Sequence, residues 1–260
     1  MRCGSLRRFH AAPISIDGIA RRPYQRASLK LDTPELNLAA PGLTGLPAFD
    51  ADLLCGEIAA QGWSVCRLAD TAMLTALAEE AGALWQEAAL TPAGIGRGED
   101  HDLVRQVRRD KTKWLDGSTP AQTAYLAFAE ALRQEVNYRL LLGLFAFEAH
   151  YAVYEPGGFY KRHLDSFRGA RNRVLSSVLY LNRDWRTADG GQLRIYAPDS
   201  EDVVETVQPE FGTLAVFLSE DIPHEVVPAC RERFSIAGWH RCNDRGLAPA
   251  LQTRALPIPA

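Results

Sequence analysis

His163 and Asp165 stand two apart in Tyr160-Lys161-Arg162-His163-Leu164-Asp165, and His224 follows 61 positions after His163. In an extended strand, side chains at i and i+2 share a face. His163 and Asp165 can therefore reach one point together, while Leu164 turns into the opposite layer. Two imidazoles and a carboxylate occupy one side of a metal ion and leave the other side open. That is the ligand set with which non-haem Fe(II) activates oxygen. Nine residues beyond His224, Arg233 begins Arg233-Phe234-Ser235-Ile236-Ala237-Gly238-Trp239. Alternation puts Arg233, Ser235, Ala237 and Trp239 on one strand face, where a guanidinium can grip a carboxylate with two prongs. Each piece alone is common, since a lone histidine is more often a surface or core residue than a ligand. The conjunction carries the metal reading.

These residues need a scaffold, and the chain from Phe147 onward supplies strand after strand. Candidates are Glu148–Tyr154, Tyr160–Leu164, Arg173–Leu181, Gly191–Tyr196, Val203–Val207, Thr213–Leu218, Glu225–Val227 and Phe234–His240. Gly-, Pro- and Asn-containing turns separate them. Short strands with regular turns predict a mainly β fold, a sandwich or jelly roll. Before it, three helices are expected. The first is capped by Asp50 and ends near Gly62. The second starts at Asp70 or Thr71 and runs to about Ala88, with a stripe of Met73, Leu74, Leu77, Ala81 and Leu84. The third begins at Thr119-Pro120 and runs to about Leu142, with Tyr125, Phe128, Ala129, Leu132, Val136, Leu140 and Phe145 along its apolar face. The helices would cover one outer face of the β core. Trp63–Leu68 alternates as a strand. Thr91–Asp102 reads as a glycine-rich mobile loop; no Lys-Ser/Thr follows to make it a phosphate-binding loop. Val104–Trp114 reads as strand, turn and strand.

Composition narrows the class. The 260 residues are 47% hydrophobic and 23% charged, with a net charge of −3, which favours neither nucleic acid nor a membrane surface as partner. Five cysteines at long spacings, with no CxxC, suit free thiols in a reducing, cytoplasmic setting rather than a disulfide framework. Residues 1–30 hold seven Arg or Lys and one acid. Such a start can be a transit peptide, but Pro13 and Gly18 would break its helix. Residues 1–48 are accordingly read as a disordered leader or linker, 49–243 as one domain with a β core at about 147–241, and 244–260 as a loose tail.

Several stretches together are more specific than the metal triad. They are Val107-Arg108-Arg109-Asp110-Lys111-Thr112-Lys113-Trp114-Leu115, Tyr154-Glu155-Pro156-Gly157-Gly158-Phe159-Tyr160-Lys161-Arg162-His163-Leu164-Asp165, Leu179-Tyr180-Leu181-Asn182-Arg183-Asp184-Trp185, Gly190-Gly191-Gln192-Leu193-Arg194-Ile195-Tyr196 and Pro223-His224-Glu225-Val226. On these, residues 104–240 resemble the 2-oxoglutarate/Fe(II) prolyl hydroxylases of the oxygen-sensing type and their bacterial relatives. The resemblance implies a double-stranded β-helix with N-terminal helices on one outer face. It implies Fe(II) on His163, Asp165 and His224, 2-oxoglutarate as co-substrate, O2, and ascorbate as reductant. Arg233 and Tyr180 would take the far carboxylate of 2-oxoglutarate, Tyr154 would sit near it, and Trp239 would wall the pocket. Arg108, Asp110 and Trp114 would belong to a flexible loop that folds over a proline-containing protein or peptide; the bland alternative for Arg108 and Asp110 is an exposed ion pair. One position departs from the family, Ala237 standing where a threonine is usual. Other readings are the same chemistry on a free amino acid or another residue, a metal-bound sensing module without turnover, and a zinc hydrolase. Zinc accepts two His and one carboxylate, but no HExxH is present, and Arg233 with Tyr180 favours an oxo-acid.

Overall fold

The computed structural model describes residues 46–93, 106–166 and 172–242. Most of the expected leader, the glycine-rich stretch from 94 onward and the tail lie outside them. The elements run α1 (Ala51–Gln61), β1 (Trp63–Arg67), α2 (Ala72–Gln86), β2 (Thr91–Pro92), β3 (Asp110–Trp114) and α3 (Pro120–Leu140). The strands β4 (Ala146–Tyr154), β5 (Tyr160–His163), β6 (Leu175–Tyr180), β7 (Leu193–Tyr196), β8 (Val203–Val207), β9 (Thr213–Leu218), β10 (His224–Val226) and β11 (Arg233–Arg241) follow.

Local chemistry sets the helix ends. The side chains of Asp50, Thr71 and Thr119 accept hydrogen bonds from the backbone N–H groups of Leu53, Leu74 and Gln122, satisfying donors that a helix start leaves open. Gly62 closes α1 at φ 87°, a left-handed conformation that costs glycine nothing. Pro120 opens α3 at its first turn, where a missing N–H does no harm.

The strands form a seven-stranded sheet, in order β1-β9-β6-β11-β4-β3-β2, and a four-stranded sheet, in order β5-β10-β7-β8. The named strand pairs are antiparallel. This is the double-stranded β-helix. The large sheet buries one face under the helices: Tyr151, Val153, Leu179, Val216 and Ile236 join Leu77, Phe128 and Leu132 in one apolar core. Its other face meets the small sheet, where Tyr154, Tyr180 and Phe217 pack with Leu193, Ile195 and Val226.

Two expectations need correcting. Phe145 is not on the apolar face of α3; that helix ends at Leu140, and Phe145 lies in the connection to β4, 52% exposed. Leu141, at φ 53°, turns the chain out of the helix one residue later. Thr91 and Pro92 pair with Thr112 and Lys111 as an edge strand rather than belonging to a loop. Asp110 and Trp114 lie on β3, paired residue for residue with β4, the second of the strands expected within Val104–Trp114.

Candidate metal centre and co-substrate pocket

Register explains the site. Opposite residues of an antiparallel pair project from the same face. Across the large sheet, Arg233 lies opposite Tyr154, which lies opposite Asp110. Ser235 is opposite Ala152 and Tyr180, and Ala237 is opposite His150 and Val178. Trp239 is opposite Glu148 and Ser176. The face of β11 picked out by alternation is therefore the one turned to the small sheet. In the small sheet His224 pairs directly with His163.

His163 ends β5 and Asp165 lies two residues past it, so the HxD step straddles the end of the strand. One ligand atom from each of His163, Asp165 and His224 lies within 4.8 Å of the others, a spacing at which a single metal ion could touch all three. Nε2 of His163 is 3.5 Å from one carboxylate oxygen of Asp165, and Nε2 of His224 is 3.7 Å from the other. Nδ1 of His163 lies 2.7 Å from the carbonyl of Lys161, and Nδ1 of His224 lies 3.0 Å from the carbonyl of Ile222. A carbonyl only accepts, so each Nδ1 carries the proton and each Nε2 lone pair faces the shared point. Burial raises the Asp165 carboxyl, but the two imidazoles and the Ser176 hydroxyl outweigh it and hold the group well below the usual range. Burial and the neighbouring His163 push His224 down to about 4, so it is neutral and fit to ligate near pH 7. Tyr160 stacks on His163 with ring centroids 3.5 Å apart, which fixes that imidazole from the side.

Arg233 is 1% exposed. Its Nε donates to the carbonyl of Gly191 at 2.8 Å and its Nη1 to Ser235 Oγ at 3.3 Å. Its carbon Cζ lies 4.9 Å from the ring centres of both Tyr154 and Tyr180. Among the described residues, two buried donors here meet no hydrogen-bond partner: Arg233 Nη2 and the Tyr180 hydroxyl. A buried donor left unmet is costly, and a cation beside a hydroxyl suits one carboxylate. Burial pushes Tyr180 up to about 12, with Arg233 pulling the other way, so its hydroxyl keeps its proton for donation. Gly191 makes room for the arginine. It sits at φ 68°, and a Cβ there would come within 3.0 Å of Arg233 Cδ. Sequence alone marks Gly191 as a turn residue; its part in seating Arg233 depends on a contact 42 residues away.

The Arg108–Asp110 pair is not an exposed ion pair. Nε and Nη2 of Arg108 donate to the two oxygens of Asp110 at 2.7 and 2.5 Å, and the side chains are 13% and 0% exposed. Arg108 also bridges to Tyr160 through the backbone and lies 4.6 Å over its ring. Trp114 is 44% exposed and groups with His150 and Trp239, at ring distances of 5.1 and 6.3 Å. Arg173, which the sequence reading assigned no role, lies 3.7 Å over the Trp239 ring and is held by Glu148 at 2.9 Å. A cleft of about 370 Å³ opens beside His163, with Arg162, Leu164 and Pro223 in its lining.

A β-helix with two histidines and an aspartate at the strand ends of its small sheet, and a buried arginine on the facing sheet, defines an oxygenase class. Residues 149–241 match the family model of the 2OG-Fe(II) oxygenase superfamily. The fold is similar to that of a Pseudomonas putida prolyl-4-hydroxylase, 41% identical, with 74% of this chain and 98% of that one covered at a TM-score of 0.67. It is similar to a Trichoplax adhaerens prolyl hydroxylase solved with a peptide of the hypoxia inducible factor oxygen degradation domain, 26% identical over 74% of this chain and 88% of that one, TM-score 0.65. Human Egl nine homolog 1 is 32% identical over 149 residues, 54% of this chain. The aligned part is 34% of the length of that human relative and 43% of its rat counterpart. The chain belongs to the 2-oxoglutarate/Fe(II) oxygenase superfamily and, within it, to the prolyl hydroxylase family. That family works with Fe(II), 2-oxoglutarate and O2. Among the described residues no helix is long and apolar enough to cross a membrane.

Proposed function

We propose that this chain hydroxylates a prolyl residue in a protein substrate, using Fe(II), 2-oxoglutarate and O2 and releasing succinate and CO2. The observation that carries the reading is the pair of unmet donors, Arg233 Nη2 and the Tyr180 hydroxyl, buried on the same sheet face as the pocket wall Trp239. His163, Asp165 and His224 would hold the metal, and Arg233 with Tyr180 the distal carboxylate, beside Tyr154. When bound, iron and the oxo-acid supply oxidative decarboxylation coupled to transfer of an oxygen atom. The chain supplies the rest. Two imidazoles keep Nε2 free through their backbone acceptors. Asp165 stays ionised. Arg233 sets the orientation and depth of the co-substrate, and the apolar residues between the sheets exclude water. Ascorbate would serve as reductant.

A peptide is favoured over a free amino acid because Trp114, Trp239 and Arg173 form a partly exposed aromatic and cationic surface. The Trichoplax relative was solved with a peptide. In this reading Arg108, Asp110 and Trp114 border the substrate as parts of an ordered ladder. The catalytic domain is residues 49–243, with its core at 147–241, acting in the cytoplasm, where the free thiols Cys55 and Cys66 stay reduced. The test is mass spectrometry of proline-containing peptides after incubation with Fe(II), 2-oxoglutarate and air. A mass increase of one oxygen on proline, with matching succinate, is expected. Hydroxylation of free proline with none on any peptide would overturn the protein-substrate reading.

A further inference from the structure

The three candidate ligands are oriented in two different ways. Both imidazoles are held by backbone carbonyls, of Lys161 and Ile222. Asp165 instead accepts a hydrogen bond from a side chain, Ser176 Oγ on β6, at 2.7 Å. Ser176 Oγ lies 2.8 Å from Ser219 Oγ. The two serines are 1% and 0% exposed. An ionised carboxylate accepts only, and a hydroxyl has one proton. Ser176 must spend its proton on Asp165, so Ser219 must donate to Ser176. The direction of the whole run is thereby set, from Ser219 to Ser176 to Asp165. Ser219 is itself pinned by backbone bonds to both neighbouring segments: its carbonyl accepts from Ser166 N at 3.2 Å, and its N–H donates to the Val174 carbonyl at 3.0 Å. The run thus ties together the residue after Asp165, the start of β6 and the end of β9.

We infer that Ser176, backed by Ser219, is the positioning residue for the candidate metal ligand Asp165, fixing the rotation of its carboxylate. The inference rests on the metal-centre reading above. Neither serine touches the oxo-acid donors Arg233 and Tyr180 in this structure, so the effect belongs to metal binding and not to the distal carboxylate. Partners of this outer kind change metal affinity by about 10–100-fold when removed.

The test compares Ser176→Thr, which keeps the hydroxyl, with Ser176→Val, which has the same shape without it. Mn(II) binding to the full chain is followed by electron paramagnetic resonance without 2-oxoglutarate, so no turnover is needed. Ser176→Val is expected to weaken Mn(II) by about 10–100-fold and Ser176→Thr by less than about threefold. Equal Mn(II) affinity in the two variants would overturn the inference. Ser219→Ala leaves β6 intact and should weaken Mn(II) by roughly threefold or more; unchanged affinity there would remove the backing that sets the direction of the Ser176 hydroxyl, and the inference with it. Asp165→Ala separates this from the underlying reading. If Asp165→Ala binds Mn(II) like the natural chain, the metal triad itself is wrong. If Asp165→Ala loses the ion while Ser176→Val keeps it, the triad stands and only the role of Ser176 falls.

Discussion

The face of the large sheet turned to the helices and the face turned to the small sheet carry the same strands but different kinds of side chain. On β11, Ile236 and Phe234 go to the helix side, while Arg233, Ser235 and Trp239 go to the other. On β6, Leu175 and Leu179 go to the helices; Ser176 and Tyr180 do not. The helix side is mainly close-packed hydrocarbon and serves stability. The inner side keeps one guanidinium nitrogen of Arg233 (Nη2), the Tyr180 hydroxyl and the indole N–H of Trp239 without a hydrogen-bond partner among the described residues. One residue of register separates a core position from a site position, so a variant on either face should fail in its own way.

The largest effect is expected at the triad. Asp165→Ala or His163→Ala should abolish 2-oxoglutarate turnover while leaving the far-ultraviolet circular dichroism and the melting temperature near those of the natural chain. A cooperative loss of fold in both would mean these residues are structural and would erase the contrast between faces. The mirror experiment is Phe128→Ala. Phe128 is 2% exposed between α3 and the sheet and packs edge-on against Phe49 at 5.7 Å. Losing such a ring costs about 3–5 kcal/mol, readable in a urea titration, with 2-oxoglutarate affinity of the folded fraction unchanged.

Arg233→Ala comes next. Removing one partner of a buried charge-assisted contact costs about 2–5 kcal/mol, or roughly 30- to several-thousand-fold in affinity. Calorimetry should show that loss for 2-oxoglutarate, with Mn(II) binding nearly intact. An unchanged affinity would put the distal carboxylate elsewhere.

The same contrast explains what the sequence reveals. Helix-side positions are periodic: the stripe Met73, Leu74, Leu77, Ala81 and Leu84 is visible at 3.6-residue spacing and is buried as that spacing requires. The β-rich runs and the phase of Arg233 are visible for the same reason, since alternation is local. The triad is legible because its residue types are chemically rare in combination. What is not legible depends on pairing between distant strands. Nothing near Ser176 shows that it will meet Asp165 on one side and Ser219, 43 residues on, on the other. Arg108 and Asp110 look like surface charges until β3 is placed beside Tyr154 and both are covered. Phe145 fits the helical spacing but falls beyond the point where Leu141 leaves the helix.

A smaller effect sharpens the point about unmet donors. Among the described residues the Tyr180 hydroxyl meets no partner at hydrogen-bond geometry, its nearest influence being the Arg233 guanidinium, so Tyr180→Phe removes at most a weak internal contact and relieves a buried polar group. Stability should hold or rise slightly. Affinity for 2-oxoglutarate should fall by about 1 kcal/mol, the worth of one hydrogen bond. A drop in stability with unchanged affinity would mean that the hydroxyl serves the fold.

The smallest effect lies on the helix side, where His240, with Ser177 and the Tyr151 hydroxyl, is among the buried polar groups that interrupt the hydrocarbon. His240 is 0% exposed, packs on Phe147 at 4.5 Å and has neither ring nitrogen hydrogen-bonded. Burial, with Arg133 adding to it and Glu130 opposing, pushes its pKa down to about 3. The folded chain therefore keeps His240 neutral down to that value, while the unfolded chain takes up a proton near the ordinary value of about 6.5. Between those values the unfolded state binds more protons, so stability falls as the pH falls. From pH 7 to pH 6 this one group accounts for about 0.7 kcal/mol. His240→Phe keeps an aromatic ring against Phe147 and removes the titration. Its stability, read from urea midpoints at the two pH values, should fall less than that of the natural chain by about that amount. His150 and His224, each held down to about 4 by burial, add slopes of the same sign, so the variant should flatten the acid side only in part. An unchanged slope would mean that His240 is already protonated in the folded chain, paired with Glu130, and that the helix-side core is less strictly apolar than its other residues make it.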